Sequence, residues 1–283
     1  MEIKRVGVVG LGTMGAGIAQ VCVQAGVQTV GREVNDELNE RGRATIDHYL
    51  GRRVEKGRMS QEEKDAALGR LTTTTDLADL AGCNLVIEAV IEDLPTKKAV
   101  FTELENVVGG EAILATNTSA LSVTEIADAT QRPERVLGMH FFNPAPVLKL
   151  VEVVRTARTS NDAFESAYEF AKEIGKEPIA CNDTPGFVVN RILIPLLNDC
   201  VRVIDEADVS PEDVDRAMTF GANWPMGPCA LIDLVGVDVH VHASDALARA
   251  VGEERMRPPK RLVDMLEAGR LGRKTGQGFF SYD

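Results

Sequence analysis

Short β-branched runs alternate with helix-like patterns over the first two thirds of the chain. Arg5–Gly10 predicts a strand, followed by an alanine-rich helical stretch through Ala25 and a second strand over Val27–Val34. Thr72–Thr75, Leu85–Ile91, Ala112–Ala115 and Val136–His140 are further strand candidates, separated by helical patterns at Asp76–Ala81, Thr96–Val108 and Val123–Ala129. Leu148–Val154 and Pro178–Cys181 bracket one more helical stretch, Ala163–Gly175. Strands that alternate with helices imply parallel βαβ units and a doubly wound, mostly parallel sheet. Residues 36–70 interrupt the alternation with two helices, Asn39–Lys56 and Ser60–Leu68, expected to project from the sheet. After Asp183-Thr184-Pro185-Gly186 the texture changes. Residues 187–268 carry helical periodicity, breakers near Trp224–Pro228 and Pro258-Pro259, and no clear strand. The expected organisation is an α/β domain over 1–184 and an all-helical domain over 185–283.

Composition narrows the function. Among 283 residues, 43 are acidic and 31 are Lys or Arg, a net charge of −12. That argues against a nucleic-acid binder, which needs clustered cations, but leaves room for an anionic small molecule on a local basic patch. No run reaches the length of a membrane span, and Met1-Glu2-Ile3-Lys4-Arg5 enters the first strand at once, which leaves no room for a signal peptide. Cys22, Cys83, Cys181, Cys200 and Cys229 show no metal-ligand or CxxC spacing. Reduced thiols and a cytoplasmic location are expected.

Gly10-Leu11-Gly12-Thr13-Met14-Gly15 is a GxGxxG at a predicted strand-to-helix turn. In that context the motif is the Rossmann-type dinucleotide fingerprint: Gly10 makes the turn, Gly12 admits the pyrophosphate, and Gly15 allows close helix–strand packing. Glu33 lies where an acidic residue would bond the ribose hydroxyls and repel a 2′-phosphate, favouring NAD over NADP. Two features pull the other way. Gly31 stands where an apolar strand residue is expected, and Arg32 could meet a 2′-phosphate.

A dehydrogenase needs a base for the alcohol proton, set at a strand's carboxyl end. Of the four histidines, His140 is the best placed, ending a strand before Phe141-Phe142-Asn143-Pro144; the alternative is a structural histidine. Glu152, within Leu148–Val154, is a candidate to orient it, or else a strand residue facing solvent. Ser119 follows another strand, where its hydroxyl would bond a substrate oxygen or cap the next helix.

Here the chain resembles the L-3-hydroxyacyl-CoA dehydrogenases, and among them the bacterial 3-hydroxybutyryl-CoA dehydrogenases. The motifs are Asn117-Thr118-Ser119, His140-Phe141-Phe142-Asn143-Pro144, Thr184–Arg191, Pro225-Met226-Gly227-Pro228 and Gly272–Phe279. They occur in the family's order over essentially the whole chain. The resemblance implies that His140 is the catalytic base, that Glu152 orients it, and that Ser119 and Asn190 contact the substrate oxygen. It places Glu92, Lys97, Asn143 and Lys274 at NAD, with Asn117 in the same set. It also implies that the excursion binds CoA, with Lys56 matching a CoA contact and Tyr49 standing where the family has a serine. A homodimer formed through the helical domain is implied too. Cys229 replaces a larger apolar residue.

Arg52 and Lys56, four apart beside Arg53 and Arg58, would suit CoA phosphates; a solvated helix face partnered by Asp47 and Glu55 explains them nearly as well. His240-x-His242 diverges on a helix, so no metal site is expected there, and Met218, Trp224 and Met226 read as packing residues. Two other functions fit the plan. One is a dehydrogenase of a free hydroxy acid or sugar acid, of the 3-hydroxyisobutyrate or L-gulonate type; the first would use a lysine base, against which His140–Pro144 speaks. The other is a non-catalytic NAD-holding protein, against which Ser119, His140, Glu152 and Asn190 together speak.

Overall fold

The computed structural model describes residues 1–282. They form two compact units, divided between Thr184 and Pro185. The first unit is built on β1 (Arg5–Val9), β2 (Gln28–Arg32), β3 (Leu71–Thr74), β4 (Leu85–Glu88), β5 (Ile113–Thr116), β6 (Val136–Phe141), β7 (Leu150–Arg155) and β8 (Glu177–Asn182). These make one eight-stranded sheet in the order β3-β2-β1-β4-β5-β6-β7-β8. All neighbouring pairs are parallel except β6 with β7. Between the strands lie α1 (Thr13–Gln24), α2 (Asp36–Glu55), α3 (Gln61–Leu68), α4 (Leu94–Val107), α5 (Val123–Ala127) and α6 (Asn161–Glu173).

Side chains alternate across the pleat, so each strand feeds two helical layers. Leu85 and Ile87 join Ile18, Ile46 and Phe170 in one core. Val86 between them joins Phe101, Leu104 and Ile126 in the other. Cover on both faces is why the strands read as nearly unbroken apolar runs. Polar residues inside such strands therefore stand out: Glu88 and Glu152 are 0% exposed and His140 is 4% exposed.

Local chemistry sets the element ends. α2 starts at Asp36, earlier than its apolar pattern suggests, because the Asn35 side chain accepts the Leu38 N–H at 2.9 Å and two acids occupy the first turn. Ser60 and Glu63 cap α3 reciprocally. The expected helix over Asp76–Ala81 is only a 3-10 turn, Leu77–Leu80. Gly31 also finds its reason. The Leu11 side chain fills the space in front of it: a Cβ on Gly31 would lie 2.8 Å from Leu11 Cδ1, and one on Gly42 would lie 2.5 Å from Leu11 Cβ. The apolar group missing from β2 is supplied by the glycine loop.

The second unit contains α7 (Val189–Glu206), α8 (Pro211–Arg216), α9 (Pro228–Val235), α10 (Val237–Val251) and α11 (Lys260–Glu267), packed around Leu197, Val201, Ile232, Val241 and Leu262. Cys229 is fully buried in this core, where burial pushes its thiol pKa up, and Met218 and Trp224 pack against the same cluster. Asp215 caps α9 through the Cys229 and Ala230 N–H groups. Among the described residues no group of three or more His, Cys, Asp or Glu side chains is placed to hold a metal, and no helix is long and apolar enough to cross a membrane.

Asn198, 0% exposed, ties this unit together. Its amide nitrogen donates to the Met256 carbonyl at 3.0 Å, and its oxygen accepts from His240 Nε2 at 2.9 Å. Burial pushes the His240 imidazole from its ordinary 6.5 down to about 4. Above about 6.5 the folded and unfolded chains are both neutral here. As pH falls from there toward 4 the unfolded chain takes up the proton first, so stability is lost, in full only below the folded value. The expected loss is about 3 kcal/mol. Urea unfolding at pH 7 and pH 4.5 should show it in the wild type and not in His240→Gln; equal pH slopes would refute the assignment.

Candidate active site

The loop between β1 and α1 has the shape a dinucleotide needs. Gly10 has φ +87°, and a Cβ there would sit 2.8 Å from the Ala89 carbonyl. At Gly15 a Cβ would fall 1.6 Å from the Gly10 carbonyl oxygen, so only glycine fits. A Cβ at Gly12 would meet nothing within 4 Å. α1 begins with Thr13 and Met14, without a side-chain cap and without an acid in its first turn. Uncapped amides facing open space beside Gly12 suit a pyrophosphate. Glu33, just past β2, accepts the Leu11 N–H at 2.5 Å through Oε1 and the Val34 N–H at 3.2 Å through Oε2. Arg32 is drawn toward β3, its Nε donating to the Thr75 carbonyl at 3.3 Å. These residues fit an NAD molecule.

His140 and Glu152 are cross-strand partners in the single antiparallel pairing of the sheet. Residues directly opposite in such a pair share a face. Here Nδ1 lies 2.6 Å from Glu152 Oε2, with the histidine side chain 6% exposed and the glutamate 0%. Glu152 thus does not face solvent. The Phe142 ring lies against the imidazole, with centroids 4.5 Å apart. His140 occupies the carboxyl-end half of β6, on the side of the sheet where β1, β4 and β5 also end.

Ser119 lies in the loop that follows β5. It is not the cap of the next helix: Ser122 caps α5, accepting the Glu125 N–H at 3.2 Å. Asn117 pins this loop to β6, its Oδ1 accepting the N–H of Phe141, the residue after His140, at 2.9 Å. Glu92 holds the loop from the other side. Its Oε1 accepts from Thr118 Oγ1 at 2.6 Å and from the Ser119 N–H at 2.8 Å. Its Oε2 lies 3.3 Å from Lys97 Nζ. Lys97 is buried and paired more closely with Glu88, at 2.6 Å. Glu88 was not singled out from the sequence, although a carboxylate ending Leu85-Val86-Ile87 carries the same signal as Glu152 within its apolar strand.

The other candidates lie further out. Asn143, exposed, follows β6 and precedes Pro144 across a cis peptide bond. Arg52 is exposed in the last turn of α2 and Lys56 caps its end; Asp47, a possible partner for them, pairs with Lys64 at 2.8 Å. Asn190 and Lys274 belong to the second unit. Asn190 sits in the first turn of α7, half-buried, and Lys274 in the turn Arg273–Thr275, with Nζ 2.5 Å from Asp238 Oδ1.

Comparison with known proteins finds matches for each of the two units. Residues 5–184 match the NAD binding domain of 3-hydroxyacyl-CoA dehydrogenase, and residues 186–282 match its C-terminal domain. The chain is 46% identical over 282 residues to a 3-hydroxybutyryl-CoA dehydrogenase of Mycobacterium tuberculosis, covering 99% of each chain. It is 40% identical over 288 residues to the mitochondrial hydroxyacyl-coenzyme A dehydrogenase of Homo sapiens, covering 99% of this chain and 91% of the other. The crystal structure of (S)-3-hydroxybutyryl-CoA dehydrogenase from Ralstonia eutropha superimposes with a TM-score of 0.97 at 39% identity, each chain covered completely. With both of its units matched to one enzyme, the chain belongs to the 3-hydroxyacyl-CoA dehydrogenase family.

Proposed function

We propose that this protein interconverts an (S)-3-hydroxyacyl-CoA and the corresponding 3-ketoacyl-CoA with NAD, and that the four-carbon 3-hydroxybutyryl thioester is its substrate. The observation that carries the reading is the buried His140–Glu152 pair at the carboxyl edge of a dinucleotide-binding sheet, 2.6 Å apart. The names of the relatives support the acyl chain length.

The chain's own residues divide the work. Glu152 accepts the Nδ1 proton of His140, which selects the tautomer whose Nε2 lone pair takes the hydroxyl proton of the substrate. The buried carboxylate then stabilises the imidazolium that forms. Ser119 and Asn190 hold the substrate oxygen, and Gly12, Thr13, Met14 and Gly15 seat the pyrophosphate. Glu92, Lys97, Asn117, Asn143 and Lys274 line the cofactor, and Arg52 and Lys56 take the CoA phosphates. NAD supplies the hydride acceptor when bound. The second unit is the substrate and dimerisation domain; exposed Ile192, Val203 and Val239 offer it apolar surface for a homodimer. Five cysteines without a partner favour the reducing cytoplasm.

Acetoacetyl-CoA and free acetoacetate, each assayed with NADH, test the substrate class. Turnover of the thioester is expected. Turnover of the free acid alone would make the protein a free hydroxy-acid dehydrogenase instead, and NADH binding without turnover of any hydroxyacyl thioester would make it a non-catalytic relative.

The cofactor choice gives a separate expectation. Glu33 already points one oxygen at the glycine loop, and Arg32 is engaged at Thr75. A 2′-phosphate would meet the carboxylate, while Arg32 is drawn away toward the Thr75 carbonyl. Wild-type kcat/KM should favour NADH over NADPH by about 100-fold, in line with a charge mismatch of about 3 kcal/mol. A preference for NADPH would overturn the Glu33 argument.

A further inference from the structure

Two independent threads of hydrogen bonds run from Glu88 to the loop that carries Ser119. Glu88 is the last residue of β4, fully buried, in register with Val9 on one side and Thr116 on the other. Its Oε2 accepts from Thr116 Oγ1 at 2.8 Å, at the point where β5 gives way to Asn117-Thr118-Ser119. Its Oε1 accepts the Val90 N–H at 2.7 Å and the Lys97 ammonium at 2.6 Å. Lys97, 1% exposed, reaches on to Glu92 Oε2, and Glu92 Oε1 collects Thr118 and the Ser119 and Ala120 N–H groups. The main chain repeats the link, for the Asn117 N–H donates to the Glu88 carbonyl at 2.8 Å.

The charges explain why the chain is stiff. A lone buried ammonium is strongly disfavoured, so Lys97 stays where two carboxylates meet it. Glu88 is the fixed one, with both oxygens hydrogen-bonded inside the core. Glu92 is 42% exposed, and the lysine ties its second oxygen to the core while the first holds the Ser119 loop. We propose that Glu88 is a positioning residue for catalysis: through Thr116 on one side and Lys97–Glu92 on the other, it sets where the Ser119 hydroxyl lies. The inference rests on Ser119 contacting the substrate oxygen, as proposed above, and assigns the function of a carboxylate that touches neither substrate nor cofactor.

A double-mutant cycle between Glu88→Gln and Ser119→Ala decides it, read as kcat with acetoacetyl-CoA and NADH. Ser119→Ala should lower kcat on its own. Glu88→Gln should lower it by about tenfold to a hundredfold, the range for a displaced positioning group. The double variant should lose no more than the worse single variant, because both changes remove the same contact. A merely structural role for Glu88 would give losses that multiply, or a lower melting temperature with unchanged kcat in the folded fraction, and either result overturns the proposal. If Glu88→Gln does not fold, Thr116→Val breaks the first thread while keeping the Glu88–Lys97 ion pair, and enters the same cycle with the same expected non-additivity. An unaffected Ser119→Ala would instead overturn the reading of Ser119 itself, and this inference with it.

Discussion

Replacing His140 with glutamine is expected to lower kcat by at least about a hundredfold while leaving NADH binding in place. Glutamine fills much of the imidazole's volume, and its amide can still donate to Glu152, so the buried pair keeps a hydrogen bond and the sheet keeps its register. What disappears is the ring nitrogen that would take the hydroxyl proton of the substrate. The glycine loop that seats the pyrophosphate follows β1, which β4 and β5 separate from β6, so the larger part of the cofactor site is left as it was. Steady-state kinetics with acetoacetyl-CoA, beside a fluorescence titration with NADH, separates the two quantities. Near-wild-type turnover would remove His140 from the mechanism, and joint loss of turnover and NADH binding would point to collapse of the site.

The second large effect is expected at Glu152. Glu152→Gln should cost about a thousandfold in kcat or more, for two reasons that act together. A side-chain amide can present its N–H to Nδ1, which stabilises the imidazole tautomer whose Nε2 already bears a hydrogen and cannot accept another. The variant also deletes the charge that steadies the imidazolium in a site where neither side chain is more than 6% exposed. Glu152→Asp keeps the charge on a shorter arm and should retain more activity than Glu152→Gln. The reverse ranking would mean that Glu152 matters for packing, not for the histidine. Combined with His140→Gln, the glutamine at 152 should add little, since the two residues act as one unit.

Much of the architecture was legible in the order of apolar runs. Strands buried on both faces must be apolar along their length, and βαβ spacing makes their neighbours parallel, so the doubly wound sheet follows from the residues. The glycine fingerprint was legible too, because each glycine answers a steric demand of the turn. Less visible was anything that depended on which side chain meets which. Gly31 looked like a flaw in β2 until Leu11 was found in front of it. Ser119 carried two readings until Ser122 proved to be the cap. Lys97 sits in a helix rich in polar residues, where a lysine ordinarily reaches water, and no local pattern marks it as buried against Glu88.

The sequence by itself determined the class of fold, the place of the nucleotide loop and the short roster of groups able to move a proton. Those follow from periodicity, turn sterics and side-chain chemistry, all of which act over a few residues. Tertiary structure alone decided the pairings: the antiparallel register that sets His140 opposite Glu152, and the buried contacts joining Glu88, Lys97 and Glu92 to the Ser119 loop. Register is fixed by how two faces fill a core across strands distant in the chain, and the sign of a buried charge's energy depends on its partner. Neither quantity exists until the chain has closed on itself.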